Sequence, residues 1–98
     1  MAPFDLGIAA TVALAVLDFV CRFRASVTSG PRTEKRNAIV GGVKNSAHVA
    51  GVGYDVVYDV TPPLDEVQVY AHRLGLRVIR EDDHDHLQPL DWSPSQTA

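Results

Sequence analysis

The chain has 98 residues, a length typical of a single domain, and we expect one domain over 1–98. Its formal net charge is -3, and its basic residues form no run, which argues against a nucleic-acid-binding surface. The single cysteine, Cys21, excludes an internal disulfide framework and is typical of a protein made in a reducing compartment.

An apolar segment, 6–21, lies near the start of the chain. It is shorter than the ~20 residues that a membrane span needs, and Asp18 interrupts it, so we expect no transmembrane segment. No Lys or Arg precedes it, and we therefore expect a protein made in the cytoplasm without a signal peptide. The pattern predicts a helix over 4–22 that is buried on most of its circumference.

Helical and strand patterns alternate along the rest of the chain. Thr33 is a candidate helix cap, and Gly41 and Gly75 are candidate helix ends. The patterns predict a strand over 23–28, a helix over 34–40, a strand over 54–60, a helix over 63–74, and two hairpin strands over 76–80 and 84–88. We expect the tail 93–98 to be mobile. This order predicts an α+β fold with a small antiparallel sheet flanked by helices.

Three side chains, distant along the chain, are of the types that bind catalytic metals. His48 and Asp55 are separated by six residues, and two of these are glycines that allow the loop to fold back. His86, from the second hairpin strand, supplies a further imidazole. Two imidazoles and a carboxylate leave one position open for water, as in a catalytic Zn²⁺ site. Asp83, three residues before His86, is a candidate general base that takes a proton from this water.

The spacing leaves the register of the second segment open. Glu81 precedes His84 by the same three residues that separate Asp83 from His86. In a strand, both histidines point to the same face, so alternation does not choose between the pairs. The residues also allow a site without metal, in which the acidic turn and the histidines are only solvated.

Several short motifs follow one another in a characteristic order: Ser29-Gly30-Pro31-Arg32, then 37–42, then Asn45-Ser46-Ala47-His48, Gly51, Asp55 and 83–88. Together they resemble the zinc D-alanyl-D-alanine carboxypeptidase and dipeptidase family. This family has a hedgehog-type peptidase fold and includes phage L-alanyl-D-glutamate endolysins. The similarity covers about 27–88. The chain departs from the family in its shortness and in Pro31, where relatives often carry an aromatic residue.

The resemblance implies a role for each candidate residue. It makes His48, Asp55 and His86 the zinc ligands and Asp83 the general base, and so favours Asp83 and His86 over Glu81 and His84. Arg32 is implied to bind a substrate carboxylate or to stabilise charge at the carbonyl. Ser46 is implied to donate a hydrogen bond to the substrate. From the residues alone, Arg32 is equally an ion-pair partner near a helix start, and Ser46 a turn residue.

The activity implied by the resemblance is a zinc metallopeptidase that cleaves peptidoglycan stem peptides. It acts either as a D-Ala-D-Ala carboxypeptidase or as an L-Ala-D-Glu endopeptidase. The expected absence of a signal peptide favours a phage or prophage enzyme that degrades the cell wall. One alternative is a non-catalytic module of the same fold that binds zinc and the cell wall, or serves as a phage structural part. A weaker alternative is a metal-free α+β scaffold.

Overall fold

The computed structural model describes residues 6–41 and 46–92, so the predicted mobile tail at 93–98 lies outside the described residues. Its elements are, in chain order, α1 (Leu6–Phe23), β1 (Ala25–Ser29), α2 (Glu34–Ile39), β2 (Tyr54–Tyr58), α3 (Leu64–Arg73), β3 (Leu76–Arg80) and β4 (Asp85–Pro89). The strands form one antiparallel sheet in the order β1-β2-β4-β3. The predicted α+β class and the small antiparallel sheet are confirmed.

Helix α1 packs on the sheet through one narrow side, and the prediction that it is buried on most of its circumference is wrong. Its buried residues are Val12, Val16 and Phe19. On the opposite side, Leu6, Leu14 and Leu17 are 76%, 71% and 55% exposed. A helix of alanine, leucine and valine has no polar side to mark the solvent face, so periodicity could not locate its buried stripe. By length and composition alone α1 also meets the criteria for a membrane span, a test that core helices of soluble proteins and signal sequences near an N-terminus also pass.

The local signals around the two shorter helices were predicted correctly. The Thr33 side chain accepts a hydrogen bond from the backbone N–H of Arg36, which caps α2 at its start. Helix α3 ends before Gly75, whose φ of +77° is a conformation that glycine adopts without strain. The chain then reverses directly into β3, which forms the predicted hairpin with β4.

The two central strands determine which residues can meet. In the pairing of β2 with β4, Asp55 lies directly opposite His86, and Val56 lies opposite Asp85. Because side chains alternate along a strand, one face of the sheet carries Asp55 and His86, and the other carries Val56 and Asp85. The second face contacts α1 and α3, and its core includes Phe19, Val56, Val67, Ala71, Leu76, Val78 and Leu87.

A buried ion pair lies on this helix-facing side. Asp85 is 1% exposed, and its carboxylate accepts hydrogen bonds from Arg80 Nε at 2.8 Å and Arg80 Nη2 at 2.9 Å. The hydroxyl of Tyr58 donates to the same carboxylate at 2.5 Å. A carboxylate removed from water is tolerated when charged and polar donors satisfy it in this way. Burial and the neighbouring carboxylate raise the pKa of Tyr58.

Candidate metal centre

The loop before β2 is folded tightly enough to bury a histidine. The Ser46 hydroxyl accepts a hydrogen bond from the backbone N–H of His48 at 3.0 Å, and the N–H of Gly53 donates to the carbonyl of Ala47 at 2.9 Å. Gly51 has a φ of +82°, which turns the chain back towards β2. His48 is 4% exposed as a result.

The ring of His48 is held by a hydrogen bond at Nδ1, and its Nε2 faces a carboxylate. Nδ1 lies 2.9 Å from the backbone carbonyl oxygen of Gly30. Since a carbonyl can only accept, Nδ1 carries the hydrogen and Nε2 keeps a free lone pair. Nε2 points to Asp55, with 3.3 Å between it and Oδ1. Burial, the largest cause, lowers the pKa of His48 and so favours the neutral form that binds metals.

His86 approaches the same carboxylate oxygen from β4. Its Nδ1 lies 2.9 Å from Asp55 Oδ1, and its ring centroid lies 5.1 Å from that of His48. One ligand atom from each of the three residues lies within 4.8 Å of the others. We call His48, Asp55 and His86 the ligand cluster.

The spacing and chemistry of the ligand cluster fit a metal ion. A tetrahedral ion with bonds of about 2.0–2.1 Å separates its ligand atoms by about 3.3 Å. The distance from His48 Nε2 to Asp55 Oδ1 is 3.3 Å, and the distance from His86 Nδ1 to Asp55 Oδ1 is 2.9 Å. Two imidazole nitrogens and a carboxylate oxygen are a donor set that zinc and several other transition metals accept. The structure therefore brings together the three predicted ligands in a group that could hold a metal ion.

The predicted general base lies in the turn before β4, outside the ligand cluster. The side chain of Asp83 is 89% exposed, and its Oδ1 lies 2.6 Å from Nδ1 of His84. Nε2 of His84 lies 3.7 Å from Asp55 Oδ1 and 3.5 Å from Glu81 Oε1. Hydrogen bonding between the two side chains lowers the pKa of Asp83 and raises the pKa of His84. In the described part of the chain, the group within metal-binding distance contains His86 and not His84.

Arg32 lies beside the loop that carries His48. Its backbone N–H donates to the carbonyl of His48 at 2.8 Å, and its positive charge contributes to the lowered pKa of His48. Arg32 Nε is buried without a hydrogen-bond partner. Among the side chains that the structure describes, no carboxylate forms an ion pair with Arg32. This guanidinium therefore has capacity to bind an anion.

Two contacts of the ligand cluster were not assigned a role from the sequence. The first is the carbonyl of Gly30, and backbone acceptors carry no residue-type signal. The second is the side chain of Gln88, whose Oε1 lies 2.8 Å from Nε2 of His86. Its position two residues after His86 is a usable signal, because residues i and i+2 of a strand share a face.

The chain was compared with protein-family models, curated proteins and solved structures, and nothing in these three comparisons matches it. The similarity to the zinc carboxypeptidase family therefore rests on the short motifs of the sequence. The geometry of the ligand cluster stands independently of that similarity.

Proposed function

We propose that this protein is a zinc peptidase that cleaves peptidoglycan stem peptides. The observation that carries the proposal is the convergence of His48 Nε2, Asp55 Oδ1 and His86 Nδ1 on one point of the sheet surface. Three protein ligands leave a coordination position free for water or substrate, whereas structural zinc sites use four. When bound, zinc lowers the pKa of a water molecule to ~7 and polarises the peptide carbonyl.

The chain supplies a candidate proton acceptor in the turn before β4. Asp83 accepts the proton of the attacking water, and His84, in contact with its carboxylate at 2.6 Å, orients it. Both residues also line a cavity of about 160 Å³ whose wall includes Tyr58, Arg80 and Asp85 and no member of the ligand cluster, so we do not assign this cavity to the substrate.

Arg32 is the proposed anchor for the substrate. Its guanidinium has no carboxylate partner among the described side chains, and it is bonded through its backbone to the residue that carries a ligand imidazole. A stem peptide offers carboxylates that such a fork can bind with two parallel hydrogen bonds. Ser46 is proposed to donate its hydroxyl hydrogen to the substrate while its oxygen accepts from the N–H of His48. The assignment to peptides with D-amino acids rests on the motifs at 29–32, 45–48 and 83–88.

One observation favours a second candidate function. Asp83 is largely exposed and contacts His84 rather than a ligand. A protein without a working base would be a zinc-binding module that attaches to the cell wall, or a phage structural part of the same fold, without turnover. This alternative predicts zinc in the purified protein and no release of peptide.

Digestion of purified peptidoglycan, with and without chelator, followed by mass analysis of the fragments, tests the proposal. We expect zinc-dependent release of peptide that is lost in Asp83→Asn while the zinc content is unchanged. Asp82→Asn is the matched control, because Asp82 is an exposed neighbour in the same turn. Wild-type protein that binds zinc but releases no peptide would refute the peptidase and support the second candidate. Fragments that end in D-Ala or at an L-Ala to D-Glu bond would distinguish the two forms of the activity.

A further inference from the structure

The two histidines of the ligand cluster offer different ring nitrogens. His48 presents Nε2 to Asp55 because its Nδ1 donates to the carbonyl of Gly30. His86 presents Nδ1 to Asp55, and its Nε2 faces Oε1 of Gln88 at 2.8 Å. We propose that Gln88 is a positioning residue that makes His86 a metal ligand through Nδ1.

The position of Gln88 suits this role. It follows His86 by two residues on β4, so the two side chains lie on the same face of the sheet. Gln88 is 8% exposed. A buried amide oxygen needs a donor, and a buried ring N–H needs an acceptor, so each group satisfies the other.

The chemistry of imidazole gives the contact its effect. A neutral ring has one N–H and one lone pair, and Asp55 and Gln88 compete for the hydrogen from opposite edges of the ring. An acceptor at Nε2 holds the hydrogen there and leaves the Nδ1 lone pair for the metal. Once Nδ1 binds a metal, Nε2 must keep its hydrogen, and the oxygen of Gln88 satisfies it. Contacts of this kind typically change metal affinity by about 10–100-fold.

Two substitutions at this position separate the acceptor from the shape of the side chain. Gln88→Met keeps the length and removes the oxygen, whereas Gln88→Glu keeps an acceptor at the same place. We expect Gln88→Met to weaken zinc binding by about 10–100-fold, and Gln88→Glu to bind at least as tightly as wild type. Gln68→Met, on α3, is the matched control and should leave zinc affinity unchanged. Affinity is measured by competition with a chromophoric chelator, and thermal unfolding of the metal-free variants reports whether each one folds.

A spectroscopic measurement tests the ring nitrogen directly and needs only wild-type protein. In protein loaded with ¹¹³Cd and labelled with ¹⁵N, we expect scalar coupling from the metal to Nδ1 of His86 and to Nε2 of His48. The Nε2–H of His86 should exchange slowly with solvent and become faster in Gln88→Met. Coupling to Nε2 of His86, or wild-type zinc affinity in folded Gln88→Met, would overturn the role of Gln88.

The role of Gln88 rests on the metal-binding part of the proposed function and not on peptide cleavage. Zinc binding with the expected variant pattern, but without hydrolysis, would refute the peptidase and leave Gln88 in place. Hydrolysis by wild type together with undiminished zinc affinity in Gln88→Met would refute the role of Gln88 and support the proposed peptidase.

Discussion

Gly53→Ala is expected to damage the ligand cluster through the backbone. A Cβ at this position would lie 2.6 Å from the backbone nitrogen of His48, 2.7 Å from the carbonyl carbon of Ala47 and 2.8 Å from its Cβ. Unlike Gly51, Gly53 does not adopt a positive φ, so the constraint comes from lack of space and not from backbone conformation. Because the nearest atoms belong to the backbone, no side-chain rotation relieves the overlap, and the loop itself has to move.

Overpacking of this kind costs about 1–3 kcal/mol of unfolding free energy. Each kcal/mol lowers the melting temperature of a domain of this size by about 4–8 °C. Since the displaced residue is His48, zinc affinity should also fall, because a metal ligand moved out of its position binds the ion less well. Urea unfolding of the metal-free protein and a chelator-competition titration measure the two effects separately.

Gly75→Ala is the matched control for the effect on the site. Gly75 has a φ of +77°, and no atom lies within 4 Å of its added Cβ. Backbone strain should therefore destabilise this variant by about 1–2 kcal/mol, with zinc affinity unchanged. If Gly53→Ala keeps the wild-type melting temperature and zinc affinity, the tight packing of the loop against His48 is not what holds this ligand.

Three further outcomes are expected. Zinc at 100 times its Kd should stabilise the protein by about 2.7 kcal/mol in thermal unfolding. Asp55→Asn or added chelator should remove this stabilisation. Equal stabilisation of Asp55→Asn by zinc would exclude the ligand cluster as the binding site. Arg80→Met should lower the free energy of unfolding in urea by about 3 kcal/mol, because it leaves the buried carboxylate of Asp85 without its cation. This is the low end of the range for buried pairs, since Arg80 is partly exposed. A change below about 1 kcal/mol would contradict this expectation. Burial raises the pKa of Tyr58, so the folded state keeps the phenolic proton at a pH where the unfolded chain loses it. Stability should therefore fall as the pH rises above about 10. Tyr58→Phe should flatten this decline, and an unchanged dependence of stability on pH would refute the role of Tyr58.

The elements that follow from local chemistry were predictable from the sequence. Thr33 marks the start of α2 through its own hydroxyl, and Gly75 marks the end of α3 through its left-handed conformation. The hairpin of β3 and β4 follows from apolar alternation on either side of an acidic turn. The pairing of β2 with β4 was not predictable in this way. A helix and a third strand separate these two strands along the chain, and no local signal specifies their register.

The residues of the candidate site also differ in how far the sequence predicts their contacts. Residue types and spacing left His84 and His86 as alternatives, and the resemblance to the zinc carboxypeptidase family favoured His86; the structure brings His86 within 4.8 Å of His48 and Asp55. The contact of Asp83 with His84 depends on the conformation of an exposed turn, which residue types do not encode. The pairing of Asp85 with Arg80 places two charged side chains on the core face of the sheet, where composition alone would place apolar ones.

Consecutive side chains of β4 point to opposite faces of the sheet. Asp85 is anchored by its guanidinium partner beneath the sheet, and His86 faces the ligand cluster above it. Any sliding or twisting of this strand therefore transmits from one side to the other with no intervening side chains to absorb it. We therefore expect substitutions of Asp85 or Arg80 that displace β4 to lower metal affinity at His86 as well as stability.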